Sequence, residues 1–364
     1  MNRRDILTGA VALPVVPGII AGTARAAPGD DHGLFFHGMN YGYLAKQGYF
    51  RAKGAADVDA MADIGVKWVS LIVMLMQDTI GSLRMYRDFT YTADDLELAA
   101  VIDRFHKRGI KVLLKPLLDI QDSSWRGRIN FPPLDDQQIL GRTNNYWPTW
   151  FASMNEAMLY YARMATMLDV EAFAVGAELV GTYPQTDLWR QTVAKVRDVY
   201  RGPLCVAAHQ DSMKDPAVQA WMREVDYVGL SFYPDLPEPE SPTPDDVVRV
   251  LSPLRAQYRE IATAIGKPLF WSEAGIRSVK GGMKSTGQYR NAAPYDGMVQ
   301  ANYLEGMFRT FWNEPWWAGC QLWKWDEQQQ RPHYAQPGGD TGFTVQGKPA
   351  EAVIRRWSTV GRAR

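Results

Sequence analysis

The chain has 364 residues, and its 40 basic and 40 acidic side chains leave no formal net charge. That balance excludes the electrostatic footprint of a nucleic-acid or anionic-membrane binder and leaves a neutral partner as the expectation. Thirteen tryptophans and seventeen tyrosines are many for this length, and aromatic faces stack on the C–H faces of sugars as well as filling cores.

The first element in chain order reads as an export signal. Asn2, Arg3 and Arg4 precede an apolar stretch rich in Ala, Gly and Val, which ends in Ala24-Arg25-Ala26 before Ala27-Pro28. The small-x-small ending and the paired arginines predict a twin-arginine signal over residues 1–26 and a periplasmic or secreted mature chain, 27–364. A membrane anchor is the weaker reading, because Pro14 and Pro17 interrupt an apolar stretch already shorter than the ~20 residues a spanning helix needs. No stable membrane insertion is expected after removal, and the mature protein is expected to be a monomer.

Short apolar runs follow at Phe35 to Tyr43, Val66 to Leu75, Ile110 to Ile120, Ala172 to Leu179, Gly202 to Gln210, Asp226 to Pro234, Lys267 to Ile276 and Trp317 to Trp325. Between them lie amphipathic helical patterns. One is expected to be capped by Thr92 with Asp95 following and to end at Gly109; its buried face is Leu98, Val101, Ile102 and Phe105. Another opens with Thr243 as cap and Pro244 at the first helical position, and carries Val247, Leu251, Leu254, Tyr258, Ile261 and Ile265. Strands apolar on both faces that alternate with such helices imply a parallel sheet covered by helices. Eight units favour an α/β fold closed as a single (β/α)8 barrel, a fold that fills this length as one domain. Cys205 and Cys320 sit in apolar strand-like runs and read as buried thiols rather than a disulfide.

In such a barrel the chemistry sits where strands end. Glu178 ends the fourth run, in Ala174-Val175-Gly176-Ala177-Glu178, and Glu273 ends the seventh, in Phe270-Trp271-Ser272-Glu273-Ala274-Gly275. A carboxylate at a buried strand end loses solvation unless paired, and no local partner is evident. Two carboxylates facing one bond are what retaining glycoside hydrolysis needs, one to attack and one to protonate the leaving oxygen. The alternative is that either glutamate only binds a lysine or backbone amides at the barrel rim. Catalysis would require Glu178 to hold a proton, its pKa raised by burial and the neighbouring carboxylate, while Glu273 stays ionised. The acidic limb of kcat/KM would then report Glu273 and the alkaline limb Glu178.

The sequence resembles the clan of (β/α)8 glycosidases whose acid/base follows strand four and whose nucleophile follows strand seven. More narrowly, Leu113-Leu114-Lys115-Pro116-Leu117-Leu118-Asp119 with Ser124-Trp125-Arg126-Gly127 resembles the strand-three signature of glycoside hydrolase family 113, a family of β-mannanases. Gly38-Met39-Asn40-Tyr41, the Gly-x-Glu-Leu at 176–179 and Trp-Ser-Glu-Ala-Gly at 271–275 extend the likeness over most of the mature chain. The resemblance implies Glu178 as acid/base, Glu273 as nucleophile and Tyr233 as the tyrosine that hydrogen-bonds the nucleophile. Two departures stand out. Ala177 precedes Glu178 where many clan members carry asparagine, and Leu117 stands where the family's motif leads one to expect histidine.

Further substrate-binding candidates are Asn40, Tyr41, Lys115, Asp119, Trp125, Arg126, His209, Trp323 and Trp325, with Trp147 and Trp150 weaker. Alternation along the eighth run favours Trp323 over Trp325 as a sugar-stacking platform. Lys115 needs an acceptor, for which Asp119 or a substrate hydroxyl is the nearest suggestion, in a substrate contact or a structural ion pair. His37 and His209 lie in strand-like runs, where pocket roles are open to them. The histidines lack metal-ligand spacing, no Gly-x-Ser-x-Gly elbow or phosphate loop is present, and neither metal nor cofactor is expected. The expected activity is endo-hydrolysis of a β-linked polysaccharide, β-1,4-mannan first and a glucan, xylan or exopolysaccharide second. Exo action and transglycosylation would use the same residues. The competing class is an exported carbohydrate-binding or polysaccharide-assembly protein that keeps the barrel for recognition alone.

Overall fold

Strands buried along almost their whole length set the barrel wall. In the computed structural model the strands are β1 (Phe36–Tyr41), β2 (Trp68–Gln77), β3 (Lys111–Ile120), β4 (Ala172–Ala177), β5 (Leu204–His209), β6 (Tyr227–Phe232), β7 (Leu269–Ala274) and β8 (Trp317–Leu322). The structure describes residues 34–42, 48–50, 52–131, 138–139, 142–143, 145–237, 239–288, 293–325 and 340–362. The expected export signal lies outside the described residues. The strands close in the order β1-β8-β7-β6-β5-β4-β3-β2, every neighbouring pair parallel. This is the single (β/α)8 barrel expected from the eight apolar runs, and each strand's ends fall within three residues of those of its run.

Among the described residues eight α-helices cover it: α1 (Ala52–Asp63), α2 (Asp95–Lys107), α3 (Tyr146–Met167), α4 (Thr186–Val199), α5 (Pro216–Met222), α6 (Pro244–Ile265), α7 (Gly297–Phe311) and α8 (Pro349–Trp357). Helix α6 starts as its sequence demands, with Thr243 as cap, Pro244 at its first position and Asp246 closing a capping box. Helix α2 is capped differently from expectation. Asp94 forms the box with Glu97, while Thr92 Oγ1 accepts from the Met74 amide at 3.1 Å and so ties the loop back to β2. Gly109 (φ 69) turns the chain out of α2, as expected.

The inside of the barrel is layered. Phe36, Trp68, Tyr227 and Phe270, from the first turns of β1, β2, β6 and β7, pack with ring centroids 4.3–5.3 Å apart and close its lower end. Above them β1 approaches β2 closely: a Cβ at Gly38 would lie 1.8 Å from the Trp68 carbonyl oxygen, so only glycine fits. Cys205 and Cys320 are buried free thiols, as expected, and burial pushes both thiols up. No helix among the described residues is long and apolar enough to cross a membrane.

Candidate active site

Glu273 is the fifth residue of β7 and is nearly buried. Burying a carboxylate calls for a countercharge, which comes from across the barrel: Lys115 on β3, fully buried, donates to Glu273 Oε1 at 2.8 Å. Asn40 on β1 orients the lysine. Its Oδ1 accepts from Lys115 Nζ at 2.7 Å, while its Nδ2 donates to the Ser272 and Gln321 carbonyls, each at 2.9 Å. One side chain thus ties β1 to β7, β8 and the lysine on β3.

Glu178 follows β4 directly. Its backbone is left-handed (φ 53), a conformation disfavoured by a Cβ, and its amide donates to the Ala207 carbonyl of β5 at 2.7 Å. Arg126 donates to its carboxylate at 3.0 Å, and Trp125 Nε1 lies 3.5 Å from the same oxygen. Arg126 also reaches Asp119 at 3.2 Å and the Leu118 carbonyl. The loops after β3 and β4 are pressed together here, since a Cβ at Gly181 would lie 2.1 Å from the Ile129 carbonyl oxygen. That contact fixes Arg126 beside the glutamate.

Both glutamates line one cleft of about 1210 Å³ at the C-terminal end of the barrel, together with Asp119, Trp125, Arg126, His209, Tyr233 and Trp323. Trp125 and His209 meet edge to face at 5.4 Å on one wall. Trp323 follows β8, and its peptide bond to Lys324 is cis. Tyr233 packs edge-on against Phe343 at 6.2 Å, and its amide donates to Gln210 at 3.0 Å.

Other candidates stand elsewhere. Tyr41 is buried on the outer face of β1 and donates to Asp57 of α1 at 3.1 Å. Trp325 is buried too, its indole donating to the same aspartate at 3.1 Å, so it anchors the end of β8 to α1 and does not line the cleft. Asn40 is buried beneath Lys115 rather than exposed to a ligand, and Lys115 pairs with Glu273, not Asp119. Trp147 and Trp150 belong to the core under α3, and Trp150 donates to Gln77 at 2.9 Å. His37 is buried against Phe308 and Trp312, and burial lowers its pKa to about 4.

The model of glycoside hydrolase family 113 matches residues 39–348, a span that contains both strand-end glutamates, Lys115 and Arg126. The chain belongs to glycoside hydrolase family 113. A family 113 β-1,4-mannanase solved as a complex is 26% identical and superposes over 90% of this chain and 100% of its own, with a TM-score of 0.76. The family 113 β-mannanase of Alicyclobacillus acidocaldarius, solved with ManMIm, is 28% identical over 90% of this chain and 98% of its own, with a TM-score of 0.75. A family 5 mannosidase from Rhizomucor miehei shares the fold at 10% identity, covering 89% of this chain and 92% of its own with a TM-score of 0.58. No curated protein sequence matches the chain.

As a member of family 113 the chain is a glycoside hydrolase, and its two carboxyls titrate in the opposite order from that expected. Burial pushes Glu273 up, Lys115 pulls it back, and the charge on Glu178 adds to the rise; the outcome is a pKa above the carboxylate range. Burial also acts on Glu178, but Arg126 outweighs it with help from Ser231 and His209, and the carboxyl is held low. The expectation failed because it placed no cation beside Glu178. Both family departures share one place: Ala177 and Leu117 pack with Ile72, Met74 and Ala207 in an apolar patch against Trp323. The sequence reading also missed Ser231, Gln257, Arg277, Phe343 and Thr344 in and around the site. Ser231 lies within β6, Gln257 is on a flank of α6, and Arg277, Phe343 and Thr344 come from loops; nothing local in the sequence distinguishes them.

Proposed function

We propose that the chain is a retaining, β-mannanase-type endo-glycosidase in which Glu273 attacks the anomeric carbon and Glu178 serves as acid and then base. The observation that carries this is the pairing of each glutamate with its own cation, Lys115 for Glu273 and Arg126 for Glu178, in a single cleft. A site kept for binding alone has no need of two carboxylates with opposed environments, one buried and one partly exposed. In the first step the carboxylate oxygen of Glu273 bonds to the sugar and the glycosidic C–O bond breaks, while the Glu178 proton passes to the leaving oxygen. In the second, Glu178 takes a proton from water, whose oxygen displaces Glu273. Lys115 stays hydrogen-bonded to Glu273 and orients it, and Trp323 offers its ring to the sugar. The β-1,4-mannanases among its relatives favour mannan as substrate.

The test uses Glu273→Gln and Glu178→Ala on mannan and on activated aryl glycosides, with product sizing on mannan, glucan and xylan. Glu273→Gln should lose all turnover. Glu178→Ala should keep the first step where the leaving group needs no proton. Equal loss on both substrate types would overturn the roles, and activity confined to glucan or xylan would overturn the substrate. We also propose that the chain is exported by its twin-arginine signal and acts as a monomer, to be checked by amino-terminal sequencing of the exported form and by light scattering.

A further inference from the structure

Strands β2 and β3 have ten residues each, whereas the other six barrel strands have six. They stay paired to the end, through Met76↔Asp119 and Gln77↔Ile120. Their outer neighbours hold only the lower parts: β1 pairs with Trp68–Leu71 of β2, and β4 pairs with Leu113 and Leu114 of β3. The distal halves therefore rise as a two-stranded crest beside the cleft. Tyr86 stiffens it, exchanging both backbone hydrogen bonds with Met76 at 2.8 and 2.9 Å and donating its hydroxyl to Asp78 at 2.7 Å, with Gln121 Oε1 3.1 Å away.

A second hollow, of about 320 Å³, lies against this crest. Met74 and Met76 give it apolar surface, and Tyr91, Asp119, Gln121 and Ser123 surround it. Its volume is at the lower end of the ~300–1,000 Å³ typical of small-ligand sites, which suits one sugar ring rather than several. Tyr91 is 50% exposed, so its ring is available for contact. Asp119 lines both this hollow and the main cleft. Its carboxylate is 41% exposed and gives one oxygen to Arg126, which leaves acceptor capacity for a hydroxyl. An apolar face, an aromatic ring and a rim of hydroxyl, amide and carboxylate groups together match the alternation of C–H and O–H surface on a pyranose.

We propose that the crest hollow is an accessory subsite that takes one further sugar of the same β-linked chain, with Tyr91 against its ring and Asp119 accepting from a hydroxyl. The inference rests on the glycosidase reading above. The continuity through Asp119 makes the occupant the substrate chain itself rather than a separate ligand.

The experiment compares wild type, Tyr91→Ala and Tyr91→Phe on β-1,4-mannooligosaccharides of increasing length and on a short activated aryl mannoside that ends inside the main cleft. Tyr91→Ala should lower kcat/KM on the longer chains by about three- to tenfold, the range expected for one aromatic contact, shift their cleavage pattern, and leave the aryl mannoside unchanged. Tyr91→Phe should behave as wild type. Equal loss on long and short substrates, or no loss on any, would overturn the subsite. Binding of the uncleaved chains to Glu273→Gln, with and without Tyr91→Ala, separates the two readings. Chain binding weakened by Tyr91→Ala in a protein whose wild type cleaves nothing would sink the hydrolase reading and keep the sugar site.

Discussion

Lys115 and Glu273 meet at 2.8 Å from strands that face each other across the barrel, and both are buried. The sequence separation is 158 residues. Closing the barrel is what creates the pair, so the catalytic site and the fold share a contact.

Lys115→Met should therefore cost stability as well as turnover. Breaking a buried ion pair on one side typically costs about 3–5 kcal/mol, because the remaining charge is left without compensation. The double variant Lys115→Met/Glu273→Gln should recover most of that loss. Urea denaturation of the four proteins in the cycle measures it, and a Lys115→Met protein as stable as wild type would show that the pair is not buried in solution.

Burial pushes the Glu178 carboxyl up, and Arg126 is the largest of the groups that together hold it low. Carboxyl ¹³C NMR should find Glu178 titrating below the usual carboxylate range and Glu273 above it in the empty enzyme. Arg126→Met should raise Glu178, and Lys115→Met should raise Glu273 further. The stability that Glu178 contributes is present above its unfolded pKa and is lost as pH falls through its lowered folded one. Arg126→Met should thus melt earlier than wild type near neutrality, with the gap closing in acid. No change in the Glu178 titration would remove Arg126 as its countercharge.

This order also reverses the limbs of the pH profile. When the acid has the lower pKa, the productive form is a minority species, and the acidic break of kcat/KM reports Glu178 while the alkaline break reports Glu273. In Lys115→Met the alkaline break should move up in pH. Movement of the acidic break alone would favour the original assignment.

The left-handed backbone at Glu178 gives a prediction that does not involve charge. Glu178→Ala keeps a Cβ at φ 53, and Glu178→Gly does not. Gly should be the more stable of the two by about 1 kcal/mol. Melting both variants in one buffer checks this; Ala at or above Gly would show that the backbone relaxes once the carboxylate is gone.

The two tryptophans at the end of β8 should separate in kind. Trp323→Ala should raise KM and leave the melting temperature near wild type, because its ring faces the cleft. Trp325→Phe should lower the melting temperature, since it loses the indole bond to Asp57, and should leave KM alone. The opposite pattern would exchange their roles.

Periodicity sufficed for the barrel, because strands buried on both faces and helices with one apolar stripe have different repeats. It also sufficed to put Glu178 and Glu273 at strand ends. Facing was harder to read. Tyr41 follows inward-facing Asn40 by one residue and so turns outward to Asp57 on α1, as alternation requires, whereas Trp325, two residues after Trp323, also reaches Asp57 because alternation fails where the chain leaves a strand. The ion partners were not legible, because Lys115, Asn40 and Arg126 reach residues that adjoin them only once the barrel has closed. Thr92 was misread as a cap because Asp94, two residues on, competes with the same side-chain chemistry and has Glu97 in place to complete the box.

The aromatic floor makes the barrel a cup. With Phe36, Trp68, Tyr227 and Phe270 packed across its base, protons and water reach Lys115 and Glu273 through the mouth. A polysaccharide lying across that mouth corks it. The protonation the two carboxyls hold when the chain settles is then the one from which the first step starts, so the choice between a productive and an idle encounter is made at the moment of seating; the water of the second step enters once the leaving portion of the chain has gone. Acidity of the medium would govern how often catalysis begins far more than how fast it proceeds.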